Sequence, residues 1–282
     1  MPDANVEHVS IKKFNIKEMA INSKCVIIGK PATGKSTVIK DLLYQHRRRY
    51  TGGIIMSGTE ESNGFYCGLL PDLFIYNNYD QDAMNRLKVR QERLVRRNGP
   101  GKDDNMAVLV IDDCFDDSSW VKATTTQWIF KNSRHYDIHT IIAMQYAMDL
   151  PPSIRTSIDF TFILRHSILK DRRKVYENYA GIFPNFEMFC DVLDNVTEDY
   201  GCLVIKNRVT SNRIEDVVFW HKADLHEKPF KVGNASLWKY HYENYNNKYK
   251  EEQEQEELKQ AQNKKYGKTN KRNTTFVVNK VH

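Results

Sequence analysis

Two glycines, a lysine and a serine stand at a spacing able to hold phosphate: Gly29-Lys30-Pro31-Ala32-Thr33-Gly34-Lys35-Ser36, followed by Thr37. In this G-x-x-x-x-G-K-[ST] pattern the glycines let the backbone curl until its N–H groups point inward at phosphate oxygens. A helix beginning at the end of the loop adds partial positive charge. Lys35 is then placed against the β- and γ-phosphates of a nucleoside triphosphate, and the Ser36 hydroxyl is placed to ligate Mg2+. The flanks supply the required context. Cys25-Val26-Ile27-Ile28 reads as a buried strand, and Val38, Ile39, Leu42 and Leu43 recur at helical spacing.

A second chemical signal is Ala107-Val108-Leu109-Val110-Ile111-Asp112-Asp113. A continuous apolar run ending in acids predicts a central parallel strand that delivers carboxylates to the ligand-binding edge of a sheet. Asp112 is the candidate Mg2+ ligand, partly through water, and Asp113 the candidate base that orients or deprotonates an attacking water. A strand that merely ends at an acidic turn, extended by Asp116 and Asp117, is the plainer reading of the same residues. Ile138 to Met144 predicts another buried strand with Gln145 at its tip, placed to sense the γ-phosphate or hold the lytic water. Arg155, and after it Arg134, are candidate arginine fingers, groups that one subunit lends to its neighbour's γ-phosphate; Arg165 flanks the same strands.

Asp80 to Asn98 predicts a helix with Asp80 as N-cap and Met84, Leu87, Leu94 and Val95 available for packing. It carries Arg86, Lys88, Arg90, Arg93, Arg96 and Arg97 and continues into Gly99-Pro100-Gly101-Lys102, read here as a flexible basic loop. Arg86, Arg90, Arg93, Arg96, Arg97 and Lys102 are therefore candidate contacts to a nucleic-acid backbone, with a solvated face as the alternative.

Composition sets the frame for these sites. The 282 residues are 40% hydrophobic and 28% charged, with a net charge of +6, which allows a buried core and a polyanionic partner. The longest apolar run, around Ala107 to Ile111, falls far short of the ~20 residues that span a bilayer. Met1 to Asn5 has the features of no secretory signal. Five cysteines (Cys25, Cys67, Cys114, Cys190, Cys202) without a C-x-x-C pair point to reduced thiols in an intracellular compartment rather than structural zinc.

Residues 1–23 form an N-terminal extension whose stretch Val9 to Ile16 predicts an edge strand or a cover for the sheet. Residues 24–235 hold every chemical motif and are read as one α/β domain. Within it, Gly52 to Ser57, Leu73 to Tyr76, Ile158 to Leu164, Gly201 to Ile205 and Ile214 to Trp220 predict further strands, the last two as a hairpin. Ser118 to Tyr136, Lys170 to Ala180 and Asn185 to Val196 predict helices. Residues 236–282 are polar, with a glutamate-rich helix and a basic tail from Lys264 to Lys280 that reads as disordered without a partner.

The strings GKPATGKS, VLVIDD and IIAMQ together resemble the FtsK–HerA superfamily of DNA-pumping ATPases. MSGTEE, DLFIY and RHYDIHTIIAMQ are similar, within it, to the poxvirus-type genome-packaging ATPases of large DNA viruses. The resemblance covers roughly residues 20 to 222. It implies a P-loop fold with an additional strand, a central parallel order of 5-1-4-3-2, and ATP with Mg2+ as substrate and cofactor. By position it implies phosphate-loop roles for Gly29, Gly34, Lys35 and Ser36, Walker B roles for Asp112 and Asp113, and a sensor role for Gln145. The second acid is Asp where many relatives in the wider superfamily carry Glu. The resemblance also implies a ring, hexameric in its relatives, that threads double-stranded DNA into a capsid. Its partner would be a capsid or membrane protein at the packaging portal, in the cytoplasmic viral factory of the host or in the virion.

Other function classes remain open on sequence. A terminase-like motor should carry a C-terminal nuclease with clustered carboxylates, and the C-terminal third offers only glutamate and lysine runs. A helicase is the other alternative of this class. A nucleoside or small-molecule kinase needs a lid and an acceptor pocket, and a switch GTPase needs N-K-x-D, which the sequence lacks.

Overall fold

The computed structural model describes residues 10–114, 119–246 and Lys259. Its compact unit, running to His241, is built on one nine-stranded sheet. The strands are β1 (Lys12–Lys13), β2 (Lys24–Ile28), β3 (Gly52–Ser57), β4 (Ile75–Tyr76), β5 (Ala107–Asp112), β6 (Ile138–Met144), β7 (Phe160–Ile163), β8 (Gly201–Lys206) and β9 (Val218–Lys222). They lie in the order β1-β9-β8-β7-β2-β6-β5-β3-β4. Strands β7 through β4 run parallel. Numbering β2, β3, β5, β6 and β7 from one to five, that central block reads 5-1-4-3-2, the expected order.

Apolar continuity explains the block. Every residue of β2, β3, β5 and β6 is buried, because helices cover both faces and leave no solvent side to alternate toward. Cys25 and Ile27 face one layer with Val38, Ile39, Leu42 and Leu43 of the helix Lys35–His46. Val26 and Ile28 face the other, with Met84 and Leu87 of Gln81–Asn98, Ile129 and Phe130 of Thr124–Asn132, and Val175 and Phe189 of Leu169–Tyr179 and Phe186–Val196. Asp80 caps its helix as expected, accepting a hydrogen bond from Ala83 N at 2.6 Å. The strands β8 and β9 form the anticipated antiparallel pair and extend the sheet from β7.

Several elements differ from their sequence pattern. Among the described residues, the N-terminal stretch pairs only through Lys12 and Lys13, parallel to β9, before Asn15 caps a single turn at Ile16–Glu18. Its apolar residues Phe14, Ile16, Met19 and Ile21 cover the face under the Lys35–His46 helix, the cover expected of this stretch, beside a shorter edge strand. Leu73 and Phe74 sit in a one-turn 3-10 segment after Pro71, leaving two residues for β4. Residues 119–136 form a broken helical run, interrupted at Ala123 and closed by left-handed Asp137 at φ 55°. Ile214–Val217 makes a helical turn, not strand; β9 starts at Val218. The glutamate run, the basic tail, Asp116 and Asp117 lie outside the described residues. No helix among the described residues is long and apolar enough to cross a membrane.

Buried histidines give this core a pH-dependent stability. Burial, aided by nearby Arg49, drives His46 down to about 4, and burial holds His139 far below its ordinary value. Both are neutral when folded and can take a proton when unfolded, so the unfolded state binds more protons below about pH 6.5. Stability is complete above that value and falls as the pH drops toward 4, by about 1.4 kcal/mol per pH unit for each histidine within its window. Asp41 behaves differently. Burial alone would raise it, but hydrogen bonds from His221, His226 and Gln45 hold it below its ordinary value, so its contribution is present above the ordinary carboxylate range and is lost as the pH falls through and below it. The urea midpoint should therefore fall between about pH 7 and pH 5, less steeply in His46→Asn. A midpoint unchanged over that interval would contradict the assignment.

Candidate nucleotide site

The phosphate loop leaves β2 at the carboxyl ends of the parallel strands. Thr33 N and Oγ1 both donate to Lys30 O, at 3.3 and 2.7 Å, which turns the loop back on itself. A Cβ on Gly29 would stand 2.5 Å from Thr33 Oγ1, so only glycine allows this closure. Gly34 has φ 102°, a left-handed value that favours glycine, at the N-cap of the helix. Pro31 and Ala32 form the exposed crown, while Thr37 is half-buried in the first turn of that helix.

Register brings the distant acids to this loop. Asp112 ends β5 opposite Ala143 of β6, and Asp113 N donates to Ala143 O at 3.2 Å. Lys35, 6% exposed, reaches across to Asp113 with Nζ 3.1 Å from Oδ2, and Gln145 Nε2 donates to the same oxygen at 3.2 Å. Asp113 thus lies between Lys35 and Gln145. Its own backbone is left-handed at φ 50°, and Gly58 makes that geometry possible: a Cβ there would lie 2.6 Å from Asp113 O.

Asp112 is the buried partner. Its Oδ2 accepts from Ser36 Oγ at 3.2 Å and from Tyr66 OH at 2.6 Å. Burial pushes its carboxyl above the ordinary range; the Tyr66 hydrogen bond offsets this in part and the adjacent Asp113 adds to it. The other oxygen, Oδ1, is buried with no hydrogen-bond partner. An orphaned carboxylate oxygen beside a serine hydroxyl fits a hard cation such as Mg2+, which takes oxygen ligands.

Sequence reasoning missed what holds Asp112. Tyr66 is fully buried, and both oxygens of Glu60 accept from its backbone N–H, at 3.1 and 3.0 Å. Glu60 lies within the polar stretch after β3 and Tyr66 just beyond it, and a tyrosine there carries no spacing signal. Lys30 is likewise more than a loop residue: its Nζ pairs with Asp171 Oδ2 at 2.8 Å and lies 4.7 Å from the Tyr146 ring centroid.

The arginines are placed less favourably. Arg134 is ion-paired to buried Asp159, which also accepts from Lys24 N at 2.9 Å. These residues mark the amino ends of β2 and β7, so Arg134 braces the edge of the sheet opposite its own chain's loop. Arg155 Nη1 donates to Asn178 Oδ1 at 2.7 Å, with its guanidinium 5.8 Å from the Tyr179 ring centroid, and touches no loop residue. Arg165 is exposed just beyond β7.

The basic helix is divided. Arg90 is half-buried: its Nη2 donates to Thr51 Oγ1 at 3.0 Å and packs where a Cβ on Gly52 would lie 3.1 Å away. It is committed to the fold and is withdrawn from the candidate phosphate contacts. Arg86 is exposed beside Tyr76, and Arg93, Arg96, Arg97 and Lys102 are exposed. The loop after them is not free, because Asp137 accepts from Gly101 N at 3.0 and 2.9 Å and Asn105 Nδ2 donates to Gly99 O at 2.7 Å.

Comparison with known proteins adds three findings. The family model for the poxvirus A32 protein matches residues 11–227. Protein 088R of Invertebrate iridescent virus 3 is 39% identical over 75% of this chain and 80% of its own, and protein 015R of Frog virus 3 (isolate Goorha) is 36% identical over 83% and 76%. Among solved structures, the genome packaging NTPase B204 of Sulfolobus turreted icosahedral virus 2, in complex with ATP-gammaS, superposes with a TM-score of 0.50 at 16% identity. It covers 73% of this chain and 100% of that one, a likeness of fold.

Proposed function

Because the chain belongs to the poxvirus A32 protein family, we propose that it is an ATP-driven motor that moves double-stranded DNA into a viral capsid. The observation that carries the ATPase part is the convergence of Lys35 and Gln145 on one oxygen of Asp113. The packaging part is supported by family membership and by the fold shared with a protein described as a genome packaging NTPase.

Chemically, the loop N–H groups and Lys35 receive the triphosphate, and Lys35 exchanges its contact with Asp113 for phosphate oxygen. That exchange frees Asp113 to accept a proton from the attacking water, with Gln145 orienting the same water. Ser36 and Asp112 would hold Mg2+, whose charge offsets that of the β- and γ-phosphates. Tyr66 keeps the Asp112 carboxylate aimed at Ser36. An arginine from a neighbouring subunit completes the charge balance in a ring, and Arg155 is the first candidate to supply it. A hexameric ring, a capsid or membrane protein at the portal, and residence in the viral factory or virion belong to the same proposal.

ATP hydrolysis measured with and without double-stranded DNA, beside the oligomer mass, tests this reading. DNA-stimulated turnover by a ring supports it, and a monomer that transfers phosphate to a nucleoside regardless of DNA would sink it. Arg93, Arg96 and Arg97 changed together to Ala should weaken DNA binding and lower the salt slope by roughly two to three, about 0.9 for each phosphate no longer neutralised. An unaltered slope would return this helix to a solvated face.

A further inference from the structure

Strand β8 runs antiparallel to β7, so its first residue, Gly201, lies at the end of the sheet that carries the phosphate loop. The turn leading into it is unusual. Asp199 and Tyr200 are consecutive non-glycine residues in the left-handed region, at φ 48° and 60°, a conformation that L residues adopt only when their surroundings impose it. Here the surroundings do. Thr197 Oγ1 donates to Leu193 O at 2.6 Å, Asp199 is ion-paired to Lys222, and a Cβ on Gly201 would stand 2.1 Å from Val196 O. The turn is clamped against the end of the Phe186–Val196 helix. What it presents is the Tyr200 side chain, 68% exposed, with Cδ1 3.8 Å from the place a Cβ on Gly34 would occupy.

The sheet order tells which part of a nucleotide would meet this ring. From β2, where the loop sits, β6 and β5 lie on one flank and carry Gln145, Asp112 and Asp113. β7 and β8 lie on the other flank and carry Tyr200. A triphosphate whose γ end faces the acids points its nucleoside end toward Tyr200. We propose that Tyr200 is a stacking platform for the purine base of the nucleotide held by the Gly29–Ser36 loop, an assignment that rests on the nucleotide-binding reading above. An aromatic face offers affinity without reading hydrogen bonds, so it serves adenine and guanine alike.

The test is calorimetric binding of ATP, GTP and inorganic tripolyphosphate to the full chain, its Tyr200→Ala variant and its Tyr200→Phe variant. Tyr200 is exposed, so neither substitution threatens folding. Tyr200→Ala should weaken ATP and GTP about ten-fold each and leave tripolyphosphate within about two-fold, while Tyr200→Phe should bind all three as the natural chain does. Unchanged ATP affinity in Tyr200→Ala overturns the proposal. Equal weakening of ATP and tripolyphosphate also overturns it, since the ring would then be supporting the loop. Loss of ATP affinity only together with loss of the oligomer overturns it too, marking the ring as a subunit contact. If the natural chain binds neither ATP nor tripolyphosphate, the nucleotide reading itself fails, whereas a failure confined to Tyr200→Ala leaves that reading intact.

Discussion

Asp113→Asn should bind ATP and fail to cleave it, with kcat lowered about a thousand-fold, within the range for loss of a general base. The amide has nearly the carboxylate's shape but cannot take the proton of water. Asparagine also tolerates the left-handed backbone that position 113 requires at φ 50°, so the tip of β5 should keep its path. Removing the charge frees Lys35 from the contact at 3.1 Å that it makes without nucleotide. ATP affinity should therefore be equal to that of the natural chain or a few-fold tighter, about 0.5–1 kcal/mol. Equilibrium binding and single-turnover hydrolysis on the same preparation separate the two effects. Full turnover in Asp113→Asn would remove the residue from the catalytic role, and lost binding would make its part electrostatic support of the loop.

Lys35→Ala should differ in affinity, losing ATP binding and turnover together. Among the described residues, the ammonium is the one side-chain cation that touches both the loop, at Lys30 O 3.5 Å away, and Asp113. A charge-assisted contact to phosphate in a site this enclosed is worth on the order of 2–4 kcal/mol, so ATP binding should weaken by about a hundred-fold or more. Hydrolysis should drop to background. Asp113 retains the Gln145 hydrogen bond and 18% exposure of its side chain, so the variant should still fold, which its thermal unfolding will report. ATP binding at the natural strength would show that the loop N–H groups hold the triphosphate alone.

Legibility in the sequence followed the range of the interactions. The phosphate loop is contiguous and its glycines answer to local backbone demands, so the loop and its tight turn at Gly29 and Gly34 could be read from sequence. β2, β5 and β6 announced themselves because strands covered on both faces must be apolar at every position. Short edge strands were anticipated but drawn too long, for the same reason in reverse. β1 and β4 have two residues each, and their apolar neighbours serve packing instead of pairing. Arg90 and Arg93 look alike in a charge pattern, yet one is bound to Thr51 and the other is exposed. Nothing in the spacing of arginines records which of them faces a β3 whose first residues are Gly52 and Gly53.

By itself, then, the sequence determined that a triphosphate loop, a pair of acids and a terminal amide would lie at one edge of a parallel α/β sheet, because each motif sits at the end of a strand its own apolar residues define. Only the tertiary structure decided that Asp113 is shared by Lys35 and Gln145, that Tyr66 and Glu60 hold Asp112, and that Tyr200 stands over Gly34. Those contacts join residues far apart in the chain through strand register and sheet order. Register is a property of paired strands, and no single stretch of sequence contains it.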